Sequence, residues 1–267
     1  MKQIAPSPDW SDEARYSYEH DLVEWWDPRP MPHRYNAYRA YIAMLLGIIE
    51  PLAPRRVLNV GCAQGTIDLL LAERGVEMTS LEIRPGFLEY AKLRHERGDV
   101  TWVLGDFFEA PIHGAPFDLV MSHHAIEHVT QPHNFVRRMA ELTRPGGHVL
   151  LTTPNHGYFR SRLPTFTAIG DPSRFSTFAN SCDAPDHIFA FTREELCQLG
   201  VSAGLRVEHH FFYESVFLAG HMRLRYLHQA LPGAAMRAFE PLARIPGIGR
   251  TLFHNQGVLL IKPASET

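Results

Sequence analysis

The chain has 267 residues, of which 45% are hydrophobic and 21% are charged, and its formal net charge at pH 7 is −3. This length favours one domain with additions, since domains mostly run to about 100–200 residues, and the balanced charge argues against a nucleic-acid binder with a basic face. The three scattered cysteines and short apolar runs predict a soluble, cytoplasmic protein without a disulfide framework, a membrane span or a secretion signal.

Residues 1–50 are predicted to form a helical cap over the entrance of a larger domain, which occupies residues 51–267. They hold three of the four tryptophans of the chain, Trp10, Trp25 and Trp26. Apolar and aromatic residues recur at helical spacing from Tyr38 to Leu46, which favours a helix in this segment.

From Arg55 onward, short β-rich runs alternate with helical stretches, which is typical of a parallel sheet covered by helices on both faces. Seven strands are predicted, at Arg56–Val60, Met78–Glu82, Thr101–Leu104, Phe117–Met121, His148–Thr153, Leu205–Phe212 and Gly257–Lys262. The helices predicted between them include Gly65–Arg74, Pro85–Glu96, Ile126–His128 and Gln131–Leu142. The fold class is therefore α/β, with a doubly wound, mostly parallel seven-stranded sheet.

Two segments interrupt this alternation, at about 154–190 and 215–250, and are predicted to be helical lid insertions. They are far longer than the usual connections of about 2–6 residues, which favours a functional role. Between them, Thr192 and Glu195 have the spacing of a capping box and predict a helix start. Aromatic residues beside arginines in both insertions fit a pocket for an amphipathic or anionic small molecule, or lid-helix cores with solvated outer faces.

At residues 57–66 an apolar strand leads into a turn with Gly61 and Gly65 and then into a helix. Glycine lets the backbone turn sharply and a ligand approach closely, and the helix that follows offers unpaired N–H groups. A dinucleotide fingerprint needs glycines at positions 61, 63 and 66, and only Gly61 is present, so a nicotinamide cofactor is disfavoured. At the end of the second strand, Glu82 is placed to accept hydrogen bonds from ribose hydroxyls.

These features resemble class I S-adenosylmethionine-dependent methyltransferases, in particular the ubiquinone-biosynthesis O-methyltransferase family. The resemblance is carried by Trp25-Trp26-Asp27, by Asn36-x-x-Arg39 and by the run Phe117–Val129, and it covers about residues 16–155. It implies a Rossmann-like fold with S-adenosylmethionine as cofactor. The implied cofactor contacts are Arg39 for the carboxylate, Asn59 for the ammonium, Asp106 and Phe107 for the adenine, and Gly61, Gly65, Glu82 and His123.

Two residues depart from the family pattern. Asn59 stands where the family has an acidic residue, so its amide can bind the ammonium group of the cofactor but adds no charge attraction, unless another acid substitutes. Ala63 stands where the family has glycine, and it fits without strain only with a negative φ. A left-handed backbone at Ala63 would cost about 1 kcal/mol.

The chain contains sixteen histidines, and three of them lie close together after the fourth predicted strand, His123, His124 and His128. Methyl transfer to a hydroxyl requires the protein to position the acceptor and to remove its proton. The candidate catalytic residues are His124, Glu127 and His128, with either histidine as the general base and Glu127 as its orienting carboxylate. His156 and His187 are predicted to contact the acceptor, His187 because its stretch resembles the segment that closes over the acceptor pocket in related methyltransferases.

Two other interpretations of His124, Glu127 and His128 stay open. The three side chains can bind a divalent metal that acidifies a catechol-like acceptor, and His124 in place of the family's carboxylate would favour zinc or iron over magnesium. Alternatively, Glu127 and His128 only cap and pack the turn. A metal is compatible with the triplet, but the base is the favoured interpretation.

The sequence therefore predicts an S-adenosylmethionine-dependent methyltransferase that acts on a hydroxyl of a small-molecule acceptor. The alternatives are an N- or C-methyltransferase of a small molecule, or a catalytically silent S-adenosylmethionine-binding protein. Asn59 and Ala63 are the features that motivate the silent alternative.

Overall fold

The computed structural model describes residues 1–170, 187–231, 233–245 and 249–264. Parts of both predicted lid insertions, residues 171–186 of the first and residues 232 and 246–248 of the second, therefore lie outside the described residues. None of the described helices is long and apolar enough to cross a membrane.

The seven predicted strands are all present and form one sheet. In chain order, strands β1 to β7 are Arg56–Val60, Glu77–Glu82, Val100–Leu104, Phe117–His123, Thr143–Pro154, Arg206–Ser215 and Phe253–Ile261. Their order across the sheet is β3-β2-β1-β4-β5-β7-β6, and β7 runs antiparallel to both of its neighbours. The prediction of a doubly wound, mostly parallel α/β sheet is confirmed.

Helices pack on this sheet, and the first two come before β1 in the chain. The described α-helices α1 to α10 are Asp12–Asp21, Pro32–Ile49, Thr66–Ala72, Pro85–Arg94, Pro132–Leu142, Phe166–Ile169, Arg193–Ser202, Leu227–Ala230, Gly233–Ala238 and Gly249–Leu252. The predicted capping box starts α7: the Thr192 side chain accepts a hydrogen bond from the Glu195 N–H, and the Glu195 side chain accepts one from the Thr192 N–H. The segment Ile126–His128 forms a single 3₁₀ turn.

Two buried apolar clusters lie on opposite faces of the sheet. Val57 and Leu58 are neighbours in β1 but belong to different clusters, because successive side chains of a strand point to opposite faces. Helices α5 and α7 cover the face of Leu58. On the other face, α2 packs through Ile42, Leu45 and Ile49 beside α3. This part of the predicted N-terminal cap therefore covers one face of the sheet.

Candidate active site

A cavity of about 290 Å³, called the first cavity below, lies at the carboxyl ends of the parallel strands. Strands β1, β2, β3 and β4 end near one another because they are parallel neighbours in the sheet. The sequence-predicted residues that line the first cavity are Gly61, Glu82, Asp106, Phe107, His123, His124 and His128.

The glycine turn after β1 has an unusual backbone. Gly61 and Gly65 have φ angles of +78° and +70°, and Ala63 between them has a φ of +47°. Ala63 therefore adopts the left-handed conformation and does not have the negative φ that an alanine without strain requires. Such a conformation costs about 1–2 kcal/mol for a residue with a Cβ.

The carboxylate of Glu82 holds this turn. Its Oε2 accepts a hydrogen bond of 2.8 Å from the Ala63 N–H, and its Oε1 accepts bonds of 3.0 Å from the N–H groups of Ile83 and Arg84. Glu82 is buried yet lines the first cavity. Because an ionised carboxylate has about four acceptor positions, three backbone donors fix Glu82 and leave capacity for a ribose hydroxyl.

The segment after β3 provides the next part of the cavity wall. Asp106 accepts a hydrogen bond of 2.7 Å from the Phe108 N–H, which orients its carboxylate. Phe107 is buried and packs edge-on against Phe135, with ring centroids 4.9 Å apart. An acceptor oxygen beside a fixed aromatic ring fits the adenine contacts that the resemblance implies.

Asn59 does not line the first cavity and instead contacts a carboxylate that the sequence analysis did not single out. Its Nδ2 donates to Asp68 Oδ2 at 2.8 Å, and Ser80 Oγ donates to Asp68 Oδ1 at 2.6 Å. Asp68 is fully buried and forms no ion pair within the described residues, and its burial raises its pKa to about 6. The remaining acceptor, Asn59 Oδ1, is buried without a hydrogen-bond partner there. An orphan acceptor beside a buried acid fits an ammonium group.

The structure places three other predicted residues outside the first cavity wall. The guanidinium of Arg39 lies 4.2 Å from the ring centroid of Trp25 and is exposed. Gly65 begins α3 and closes the turn through its N–H bond to the Cys62 carbonyl. His156 Nδ1 donates to the Leu163 carbonyl oxygen at 3.2 Å. The contacts predicted for these residues stay predictions.

After β4, a buried network forms around Glu127. Its Oε1 accepts a hydrogen bond of 3.3 Å from His124 Nδ1, and its Oε2 accepts one of 3.0 Å from Thr153 Oγ1. The other ring nitrogen of His124, Nε2, lies 2.6 Å from the Tyr213 hydroxyl. His124 has a φ of +52°, so the backbone itself is strained where this side chain is positioned.

The surroundings shift the pKa values of His123, His124 and His128 in different directions. Burial lowers the pKa of His124, but the bond to Glu127 and its negative charge outweigh burial, so the pKa is raised above its usual value. Burial also disfavours the charged Glu127, but His124 and the nearby histidines hold its pKa below the usual range. Burial lowers the pKa of His128 and lowers that of His123 to about 3. The pKa of His128 therefore lies below the ordinary histidine value, which favours its neutral imidazole, and that of His124 lies above it, which favours its charged form beside Glu127.

Of the two candidate bases, Glu127 bonds to His124 and not to His128, since its hydrogen bonds within the described residues go to His124 and Thr153. Instead, His187 approaches His128, with ring centroids 4.9 Å apart, and His187 Nε2 lies 3.7 Å from Glu127 Oε1. The ligand atoms of Glu127, His128 and His187 lie within 4.8 Å of one another and could hold a metal ion. In this group His187 takes the place that the sequence analysis gave to His124.

Sequence analysis also missed Asp68 and Tyr213. Asp68 follows Asn59 by nine residues and lies near the start of α3. A carboxylate so close to the glycine turn could have been identified from sequence as the acid that compensates for Asn59. Tyr213 is 89 residues from His124 in sequence, and β6 brings it to the site only through the sheet, so no local spacing could have found it.

Comparisons with known proteins agree with this geometry. A family model described as "Methyltransferase domain" matches residues 31–210. The chain is 33% identical over 139 residues to a ubiquinone biosynthesis O-methyltransferase of Alkalilimnicola ehrlichii, covering 49% of this chain and 55% of that protein. It is 31% identical over 166 residues to the protein of the same name from Pectobacterium atrosepticum, covering 58% and 65%. The chain thus matches less than two thirds of the length of either relative.

A solved structure of an S-adenosylmethionine dependent methyltransferase from Mesorhizobium loti has the same fold. It superposes on this chain with a TM-score of 0.54 at 16% sequence identity, covering 80% of this chain and 95% of the other.

Proposed function

Because this chain belongs to the methyltransferase-domain family, we propose that it transfers a methyl group from S-adenosylmethionine to a hydroxyl of a small-molecule acceptor. The observation that carries the proposal is His128, a neutral histidine that lines the first cavity beside the buried Glu127. The names of the two ubiquinone biosynthesis relatives support a hydroxyl as the acceptor group.

The residues around the first cavity fit the parts of the cofactor. Glu82 would bind the ribose hydroxyls, and Asp106 and Phe107 would bind the adenine. The orphan Asn59 Oδ1 would accept a hydrogen bond from the ammonium, whose charge Asp68 would balance. Bound in this way, S-adenosylmethionine supplies an electrophilic methyl group on a positively charged sulfur.

His128 removes the proton of the acceptor hydroxyl in this proposal. Its lowered pKa keeps Nδ1 or Nε2 free to accept a proton at neutral pH. The imidazolium that then forms is stabilised by the negative charge of Glu127, which already raises the proton affinity of His128 against burial. Both ring nitrogens of His124 are engaged, Nδ1 by Glu127 and Nε2 by the Tyr213 hydroxyl, so in this proposal His124 positions the network and is not the base.

The test replaces the base and follows binding and turnover separately. We expect His128→Ala to lower kcat for transfer to a catechol acceptor by about 10²–10⁴-fold, the usual contribution of a general base. The dissociation constant of S-adenosylhomocysteine should change little. Turnover of the unchanged chain should fall as pH drops and His128 becomes protonated. Unchanged kcat in the variant excludes His128 as the base, and transfer to an amine or carbon acceptor but not to catechol argues for the N- or C-methyltransferase. Cofactor binding without consumption against any acceptor argues for a silent binding protein.

The group of Glu127, His128 and His187 supports a second candidate, a metal-assisted transfer to the same hydroxyl. A carboxylate and two imidazoles favour zinc or iron over magnesium. In that case, chelation would abolish turnover, zinc or iron would restore it, and metal analysis would find about one ion per chain. Full activity of a chelated, metal-free sample would leave His128 as the base.

A further inference from the structure

A second cavity, of about 330 Å³, has His187 in its wall. His187 lines the second cavity and His128 lines the first, and the two rings have centroids 4.9 Å apart. The walls of the two cavities therefore come close together at these two side chains. An acceptor bound with its hydroxyl at His128 would therefore lie close to the second cavity.

The second cavity is lined by cationic and proton-donating side chains. Arg160 and Arg162 lie in its wall, together with His221 and His254, and no carboxylate lies there among the residues that the structure describes. Neither arginine forms an ion pair or a hydrogen bond with any residue in the part of the chain that the structure describes. Glu214 approaches His254 from outside this wall, with 4.0 Å between Oε2 and Nδ1. The two arginines of the wall thus carry positive charge that no described side chain pairs with.

Buried contacts hold the donors of this wall in place. Tyr158 is 4% exposed, and its hydroxyl forms a hydrogen bond with His221 Nδ1. The ring of His254 packs against both, with centroids 5.3 Å from Tyr158 and 5.2 Å from His221. Asn155, which is buried, donates to the carbonyl oxygens of Arg250 and Phe253 and so fixes the start of β7, where His254 lies. The wall is therefore a built feature of the fold, and it includes two exposed arginines.

We propose that the second cavity binds an anionic substituent, a carboxylate or a phosphate, of the methyl acceptor. Guanidinium groups pair with the oxygens of such anions in a planar, two-bond geometry, and no residue that the structure describes occupies the guanidinium groups of Arg160 and Arg162. The inference rests on the proposed function, since it places the acceptor hydroxyl at His128. The substrate class is then a hydroxylated small molecule with an anionic group on the side opposite the reacting hydroxyl.

The test compares two acceptors that differ by one carboxylate, 3,4-dihydroxybenzoate and catechol. With the unchanged chain we expect kcat/KM to favour the carboxylate acceptor by about tenfold or more, because hydrogen bonds to charged groups contribute at least this much. The R160Q/R162Q variant should lose this preference and retain its activity on catechol. The control variant R137Q/R206Q removes the same charge from α5 and β6, outside the cavity wall, and should keep the preference.

Binding to the S-adenosylhomocysteine complex, measured by calorimetry, separates this inference from the proposed function. Transfer to both acceptors with equal efficiency, or a preference that survives in R160Q/R162Q, overturns the anion site and leaves the proposed function standing. Arginine-dependent binding of 3,4-dihydroxybenzoate without methyl transfer supports the anion site and contradicts the proposed function. Competition by phenyl phosphate stronger than that by benzoate would identify a phosphate, and the reverse a carboxylate. Absence of competition by either overturns the proposal.

Discussion

Ala63 is a strained residue at the centre of the candidate cofactor site. Its φ of +47° is stabilised by the bond from its N–H to Glu82, the carboxylate that the ribose would need. Glycine adopts this backbone without a steric cost, although it loses more entropy on folding. We expect Ala63→Gly to raise the free energy of unfolding by about 0.5–1 kcal/mol, measured by urea denaturation.

The control for this prediction is Ala40→Gly, which lies inside helix α2. Glycine in a helix interior should lower the free energy of unfolding by about 1 kcal/mol. If both variants lose stability to the same extent, Ala63 does not have a left-handed backbone in solution.

Asp68 provides a prediction about cofactor affinity. The acid and the orphan Asn59 Oδ1 are expected to recognise the ammonium of the cofactor. We expect Asp68→Asn to weaken binding of S-adenosylhomocysteine about tenfold, a loss of ~1.4 kcal/mol. Binding of methylthioadenosine, which has no ammonium, should not change. The exchanged variant N59D/D68N keeps one acid in the pair and should recover affinity, whereas equal weakening of both ligands would assign Asp68 a structural role only.

The carboxyl group of Asp68 should also make the stability of the chain depend on pH. Burial raises the pKa of Asp68 to about 6 in the folded chain, from an ordinary value of 3.8. The folded state therefore binds this proton more tightly than the unfolded state, and the contribution of Asp68 to stability increases as pH falls from about 6 towards 4. When the pH is lowered from 7 to 5, the free energy of unfolding of the unchanged chain should rise relative to that of the Asp68→Asn variant. Parallel pH profiles of the two proteins would contradict the assignment.

At the scale of elements, a buried ion pair joins α1 to α4 and to the glycine turn. Arg94 Nη2 lies 2.9 Å from Asp21 Oδ1 and both side chains are fully buried. Arg94 Nη1 also donates to the Gln64 carbonyl and to Thr66 Oγ1. We expect Asp21→Asn to lower the free energy of unfolding by about 3–5 kcal/mol, because it leaves a buried cation unpaired.

The double variant D21N/R94M tests the cause of that loss. It removes the unpaired charge, so it should be more stable than D21N alone in the same urea titration. A double variant that is less stable than the single one would show that the contacts of Arg94 with the turn, rather than its charge, carry the stability.

The bounds of the strands could be predicted from the sequence with unequal success. Strand β1 was predicted with its observed bounds, because an apolar run between turn residues has few alternatives. Strand β5 begins at Thr143, five residues before its predicted start, and includes the Pro-Gly-Gly segment that follows the predicted helix Gln131–Leu142. Pairing with β4 through a bulge, a tertiary contact, extends the strand there. Residues of the site that follow a strand directly, such as Glu82 and Asp106, were predictable for the same local reason.

At the scale of the whole molecule, the sheet brings together residues that are distant in sequence. His187 and Tyr213 come from the half of the chain that carries little resemblance, and both contact the network of His124 and Glu127. Helical and strand periodicity cannot predict such contacts, because they depend on strand order. The candidate base, together with His124 and Glu127, could be placed at the site from sequence, but His187 as a neighbour of His128 and Tyr213 as a partner of His124 depend on the fold.

A prediction about the whole fold concerns ligand-linked stability. The residues assigned to the cofactor lie on segments that follow β1, β2, β3 and β4, so a bound ligand ties four strands of the sheet together. A ligand at 100 times its dissociation constant stabilises a protein by about 2.7 kcal/mol, which corresponds to a rise in Tm of about 5–10 °C at this chain length. We expect this rise with S-adenosylhomocysteine in a thermal unfolding scan, a smaller one in Glu82→Gln, and none with NAD. A rise with NAD and none with S-adenosylhomocysteine would instead favour a dinucleotide site, despite the missing glycines at positions 63 and 66.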